Sequence, residues 1–184
     1  MKLSVKNMVC DRCVLVVHNE LTKLNYNDID VRLGEVDFNK NLNEAEIVKI
    51  DKHLKSFGFE VLRDKKQKLV NQIKVFILDF INDKLFLIHD NLSDALKDKF
   101  NQDYSLLSNV FSEIESVTIE KYYIKQKIEK AKELIVYGEL NFSEIAMDLG
   151  YSSNAHFSNQ FKKITGVSPS DFKANAKRKP LDQV

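Results

Sequence analysis

Hydrophobic and polar positions recur with two different periods along this chain, and the change comes near residue 63. Lys2-Leu3-Ser4-Val5-Lys6 alternates, as a strand does. From Asp11 to Leu24 the apolar residues Val14, Val17, Leu21 and Leu24 recur at three and four, which is helical. Ile29-Asp30-Val31-Arg32-Leu33 alternates again, Gly34 interrupts, and Val36-Asp37-Phe38 resumes. Asn43 to Phe57 returns to helix through Ile47, Ile50 and Leu54. Gly58 suits a helix C-cap, and Phe59-Glu60-Val61 is a last short strand. The pattern predicts strand, helix, hairpin, helix, strand over residues 1–62. A charged linker, Arg63-Asp64-Lys65-Lys66-Gln67-Lys68, follows, and it reads as a solvated helix start rather than a binding patch.

Beyond it the chain reads helical. One helix runs from Leu69 to near Asp83, with Ile73, Phe76, Ile77 and Phe80 on one stripe. Others are predicted at Ser93–Phe100, Ser105–Ile114, Ile119–Tyr137, Ser143–Leu149, Asn154–Ile164 and Pro169–Ala176. This half repeats at an offset of 50 residues. Leu107, Ser108, Asn109, Phe111 and Ile114 match Phe157, Ser158, Asn159, Phe161 and Ile164, and Val117, Thr118 and Tyr122 match Val167, Ser168 and Phe172. Upstream of Tyr104 the register is ambiguous by one residue, which predicts a longer turn in the first copy. In the second copy, Ala146 allows close helix approach and Gly150 permits the left-handed turn that a helix-turn-helix needs. Ser153 can cap the next helix, where Phe157, Phe161 and Ile164 are expected on the buried stripe. Spacing alone is equally compatible with a plain helical bundle whose polar faces are solvated.

Gly150 to Phe172, GYSSNAHFSNQFKKITGVSPSDF, closely resembles the C-terminal signature of the AraC/XylS family of bacterial transcription regulators. Lys127-Ile128, Ala131 and Leu134-Ile135 look like that family's linker helix, with Lys127 where arginine is more usual. In the first copy Lys97 and Asn101 stand about where the family prefers a small residue and glycine. The resemblance implies a domain over 69–178, with a first helix-turn-helix at 91–115, a linker helix at 118–137 and a second at 142–165. Carried over by position, the base-reading candidates are Ser105, Ser108 and Asn109, then Asn154, His156 and Asn159. Lys121, Lys125, Ser153, Lys162 and Lys163 are candidates for phosphate contacts. The implied partner is double-stranded DNA, with RNA polymerase a further candidate.

Asn7-Met8-Val9-Cys10-Asp11-Arg12-Cys13 lies where a strand hands over to a helix, so both sulfurs can aim at one point. The helix N-terminus and Arg12 should favour the thiolate. Two thiolates suit Cu(I) or another soft ion, whereas structural zinc wants four ligands. His18 and His53 are not enlisted. This segment resembles the heavy-metal-associated domain of copper chaperones and metal-pumping ATPases, through Met8, Cys10, Cys13 and Gly58-Phe59-Glu60, with Asn7 in place of a usual glycine. That likeness implies a ferredoxin-like α+β fold over 1–62, its second hairpin shortened, ahead of the all-α domain. The metal ligands it implies are Cys10 and Cys13.

Composition narrows the rest. With 28 basic and 27 acidic residues the formal charge is +1, which rules out a uniformly basic coat. The charge is nevertheless uneven: residues 152–180 hold 6 basic and 1 acidic, against 9 and 10 in residues 1–62. No run approaches the roughly 20 apolar residues of a membrane span, so a cytoplasmic, membrane-free location is expected. No phosphate-binding glycine loop or grouped Ser/His/acid set points to an enzyme. The expectation is a DNA-binding transcription regulator controlled by a soft metal or a partner at the N-terminal domain. Its rivals are a soft-metal carrier whose helical half docks a partner protein and, third, a dithiol redox enzyme. Nothing in the pattern sets an oligomeric state.

Overall fold

The computed structural model describes residues 1–82 and 91–175. The chain forms two compact units, Met1–Leu78 and a second that begins at Asp79. The expected helix ends at Asp83 and Ala176, and the expected domain end at 178, lie outside the described residues.

In the first unit the elements are β1 (Lys2–Lys6), α1 (Asp11–Lys23), β2 (Ile29–Arg32), β3 (Glu35–Phe38), α2 (Glu44–Lys55) and β4 (Glu60–Leu62). The four strands form one antiparallel sheet in the order β2-β3-β1-β4. Alternation sends Leu3, Val5, Val36, Phe38 and Val61 inward. There they meet Val17 and Leu21 of α1 and Ile50 and Leu54 of α2 in one core. Asn43 starts α2 with a capping box: its side chain accepts from the Glu46 N–H, and the Glu46 carboxylate accepts from the Asn43 N–H, both at 2.9 Å. Burying Glu20 between the two helices is possible because it is paired: its carboxylate takes the Lys23 ammonium and His53 Nε2, the latter at 3.0 Å.

Two sequence expectations change here. The charged linker expected at 63–68 is shorter, because Lys65 already opens α3 (Lys65–Asn82). The Asp64 carboxylate accepts from the Gln67 N–H at 2.9 Å and so starts the helix inside the charge run. Ser4, on the polar side of the β1 alternation, is only 9% exposed, so that face of the sheet is not simply wet. The buried Asn71 of α3 donates its side-chain amide to the carbonyls of Val5 (3.2 Å) and Gly34 (3.4 Å). Gly34, in the two-residue β2–β3 turn, has φ +75, and a Cβ there would fall 2.7 Å from Val75 Cγ2. Both backbone and packing therefore require glycine. Gly34→Ala should lower stability by about 1–3 kcal/mol in urea unfolding. A change under about 0.5 kcal/mol would mean that α3 yields freely at this contact.

The second unit contains α4 (Leu92–Phe100), α5 (Tyr104–Glu115), α6 (Ile119–Tyr137), α7 (Phe142–Asp148), α8 (Asn154–Thr165) and α9 (Pro169–Asn175). The 50-residue repeat is physical. Leu107 and Phe111 are fully buried in the first copy, as Phe157 and Phe161 are in the second. Phe111 meets Tyr122 edge-on at 5.5 Å, and Phe161 meets Phe172 at 5.6 Å. Left-handed residues end both α5 and α8, Ser116 (φ +57) and Gly166 (φ +83). Thr118 and Ser168 then cap the helices that follow.

Two details run against expectation. Ile164 does not complete the buried stripe: it is 41% exposed, and its counterpart Ile114 is 37% exposed, since each sits in a last turn that emerges from the core. The first copy also has the shorter turn, not the longer. Asn101 is left-handed (φ +50) three residues before α5 begins, whereas Gly150 (φ +66) precedes α8 by four. The residue added in the second copy is the buried Tyr151.

Candidate functional site

Each reading helix presents its first turns to solvent because its core face is already taken by two large apolar side chains. At about 100° per residue, Ala155, His156 and Asn159 share the outward face of α8, and all three are exposed. Asn154 is also exposed but lies about 140° round from Asn159, and its side-chain oxygen accepts from Ser158 Oγ at 3.4 Å. His156 is held on three sides. Its N–H donates to Ser153 Oγ (3.1 Å), its Nδ1 contacts Ser152 Oγ (3.2 Å), and its ring stands edge-on to Tyr151 at 5.4 Å. Ser153 accepts as the helix cap, and its hydroxyl proton remains available as a donor.

On α5 the outward face holds Ser105, Leu106 and Asn109, all exposed, while Ser108 is half-buried on the flank. The readers expected from sequence therefore divide. Ser105 with Asn109, and His156 with Asn159, are brought together; Ser108 and Asn154 stand to one side. Leu106 was missed among the candidates, although the 50-residue offset applied to His156 points to it. Lys121 and Lys125 are exposed one turn apart on α6, and Lys162 and Lys163 are exposed near the C-terminal end of α8. A 12-residue helix is about 18 Å long, so lysines at one end can reach a backbone while the other end lies in a groove about 12 Å wide.

Behind this face, Lys127 of α6 is 7% exposed. Its ammonium lies 3.9 Å from the centre of the Tyr151 ring and 5.3 Å from that of Tyr123. Burial pulls its pKa down to about 8. The Tyr151 hydroxyl donates to Gln160 Oε1 at 2.7 Å, so one side chain joins the linker helix to the reading helix.

Residues 96–175 match a family model described as a helix-turn-helix domain. The arabinose operon regulatory protein of Escherichia coli is 31% identical over 78 residues, 42% of this chain and 27% of that protein. The C-terminal unit contains a helix-turn-helix domain. The Msm operon regulatory protein of Streptococcus mutans is 26% identical over 99 residues, 51% of this chain and 36% of its own length. This chain thus spans about a third of the curated relatives it matches. These relatives are transcriptional regulators, not enzymes, and they lend no support to a metal carrier. Among solved structures, the C-terminal domain of AraT, a response regulator from Geobacillus stearothermophilus, has a TM-score of 0.55 at 24% identity. It is matched over 64% of this chain and 93% of its own. A regulator with an AraC-type DNA-binding domain from Chromobacterium violaceum has a TM-score of 0.53 at 16% identity, over 62% and 96%. At these identities the likeness is one of fold.

The Cys-x-x-Cys loop lies in the first unit, at the start of α1. Asn7 takes φ +71 in place of glycine, and its side-chain amide donates to the Gly58 carbonyl at 2.9 Å, pinning the loop to the turn before β4. Met8 is buried in the core. The sulfurs of Cys10 and Cys13 are 3.6 Å apart, a separation that lets both contact one soft ion at a metal–sulfur distance of about 2.3 Å. The Cys13 backbone N–H, then the Cys13 thiol and Arg12, hold the exposed Cys10 thiol below its ordinary pKa. Among the described residues no group of three or more His, Cys, Asp or Glu side chains is poised for a metal, so the candidate donors expected from sequence remain the two thiols. His53 is committed to Glu20. No helix among the described residues is long and apolar enough to cross a membrane.

Proposed function

We propose that this chain is a cytoplasmic, sequence-specific DNA-binding transcription regulator of the AraC type. The observation that carries the reading is the duplicated helix: two buried apolar anchors behind, exposed first turns with Ser105 and Asn109 or His156 and Asn159 in front, one α6 between. At 19 residues α6 extends about 28 Å, comparable to the roughly 34 Å between successive major-groove faces on one side of a duplex. Ser105, Asn109, His156 and Asn159 are the central base readers in this proposal, Asn159 the strongest, with Ser108 and Asn154 at the flanks of the two faces. Lys121, Lys125, Ser153, Lys162 and Lys163 hold phosphates. RNA polymerase is a proposed further partner.

The βαββαβ order with its β2-β3-β1-β4 sheet supports a ferredoxin-like reading of the N-terminal unit. Cys10 and Cys13 would hold Cu(I) or a similar soft ion, and the donor set fits. Such an ion supplies a bond between the loop and the first turn of α1. The chain's own part is to present both sulfurs and to lower the pKa of the Cys10 thiol through the Cys13 backbone N–H.

Selection of bound duplexes from random DNA, with and without Cu(I), tests both halves. One enriched sequence is expected. Asn159→Ala should then weaken binding by about 1–3 kcal/mol, or 5- to 150-fold, and relax preference at one base pair. No enrichment in either condition defeats the regulator reading. Unchanged metal affinity and DNA binding in Cys10→Ser/Cys13→Ser defeats the metal reading alone.

A further inference from the structure

The repeat places Leu106 in the same register as His156, each third in its helix. Leu106 is 51% exposed, although the next residue, Leu107, and Phe111 are fully buried. The core is thus filled by its neighbours, and Leu106 is turned outward between Ser105 and Asn109, about 100° from one and about 60° from the other. The helix around it, YSLLSNVFSEIE, contains no lysine or arginine. This face therefore lacks the side chains that pair bidentately with guanine.

A leucine cannot hydrogen-bond to a base edge. It distinguishes bases only by apolar contact, and in the major groove thymine alone offers a methyl group. We propose that Leu106 is a specificity-determining residue of the first reading helix, packing against the C5-methyl group of a thymine in the half-site read by α5. The inference rests on the regulator reading above and deepens it. The first half-site is read by shape and methyl contact beside Ser105 and Asn109, and the second by the hydrogen-bonding His156 and Asn159.

The test uses the full chain and the duplex enriched by selection. Each thymine is replaced in turn by uracil, which removes only the methyl group. At one position the wild-type protein should bind about fourfold more weakly, the equivalent of ~0.8 kcal/mol for one apolar carbon left in water. In Leu106→Ala, whose exposed site keeps the fold intact by circular dichroism, that thymine–uracil difference should vanish while second-half-site preferences persist. Equal binding of thymine and uracil at every position, or a difference that survives in Leu106→Ala, overturns the assignment alone. Failure to enrich any sequence overturns the regulator reading and this inference with it. If Leu106→Ala instead abolishes binding to a protein partner and leaves thymine preference untouched, the methyl contact is wrong.

Discussion

Replacing Phe161 by alanine should destabilise the C-terminal unit by about 3–5 kcal/mol, the largest loss expected at any single position described. Its ring is fully buried and sits edge-on between Phe157 at 5.8 Å and Phe172 at 5.6 Å. Truncation removes the transfer energy of the ring, leaves a cavity, and strips two aromatic neighbours of their partner at once. Domains of this size are stable by only about 5–15 kcal/mol, so α8 and α9 should lose order well before the rest at moderate urea. Phe111→Ala is the matched experiment in the first copy, where Tyr122 plays the part of Phe172. Urea titration followed by the amide signals of α8 and α9 measures the loss. A cost under about 1 kcal/mol at Phe161 would show that the aromatic stack is not the core of the second copy.

The second large effect is a dependence on pH. Lys127 titrates near 8 in the folded chain, below the ordinary lysine value of 10.5, because burial disfavours its charged form. Below pH 8 the ammonium is charged in both the folded and unfolded chains, and the full penalty of burying it is present. Between about 8 and 10.5 the unfolded chain binds the extra proton, so stability rises with pH. The fall in pKa corresponds to about 3 kcal/mol, of which about 2 kcal/mol should be recovered by pH 10. Above that the phenols oppose it: burial raises Tyr123 to about 12 and pushes Tyr151 up further, so stability is lost as they ionise in the unfolded chain. Thermal unfolding of the wild type should show a melting temperature that climbs from pH 7.5 to 9.5. In Lys127→Met that climb should disappear, and at pH 7 the variant should equal or exceed wild-type stability, as buried charges replaced by apolar groups often do. Lys127→Arg should also be flat, because guanidinium keeps its proton. A climb that persists in Lys127→Met would place its origin elsewhere.

Where hydrophobic spacing alone decides a structure, the sequence was legible. The strands from β1 to β4 and the helices from α1 to α9 lie close to where periods of two and 3.6 put them, and the repeat pairs the buried anchors Phe111 and Phe161. What stayed hidden depends on partners distant in the chain. The burial of Ser4 was not legible, because alternation marks only the side of the strand, not whether Asn71 and its helix will cover it. Lys127 was legible as a linker-helix position but not as a buried ammonium, since nothing local reveals the rings of Tyr123 and Tyr151 beside it. Lys65 looked like part of a linker because a solvated first turn and a charged joint have the same composition. At the site, a search for hydrogen-bonding side chains passed over Leu106, whereas the offset of 50 led to it.

The turn that differs by one residue also bears on how the chain reaches its fold. Tandem copies of one unit are prone to exchange, each helix pair docking where its sibling belongs. Here the second copy carries Tyr151 in its turn, and that ring rests on the Lys127 amino group and donates to Gln160. Asn101-Gln102-Asp103 has no equivalent ring to offer, so the first copy misplaced into the second seat would strip the buried Lys127 ammonium of the nearer of its two rings. Tyr151 thus keys each half to its own place and penalises the mispaired arrangement.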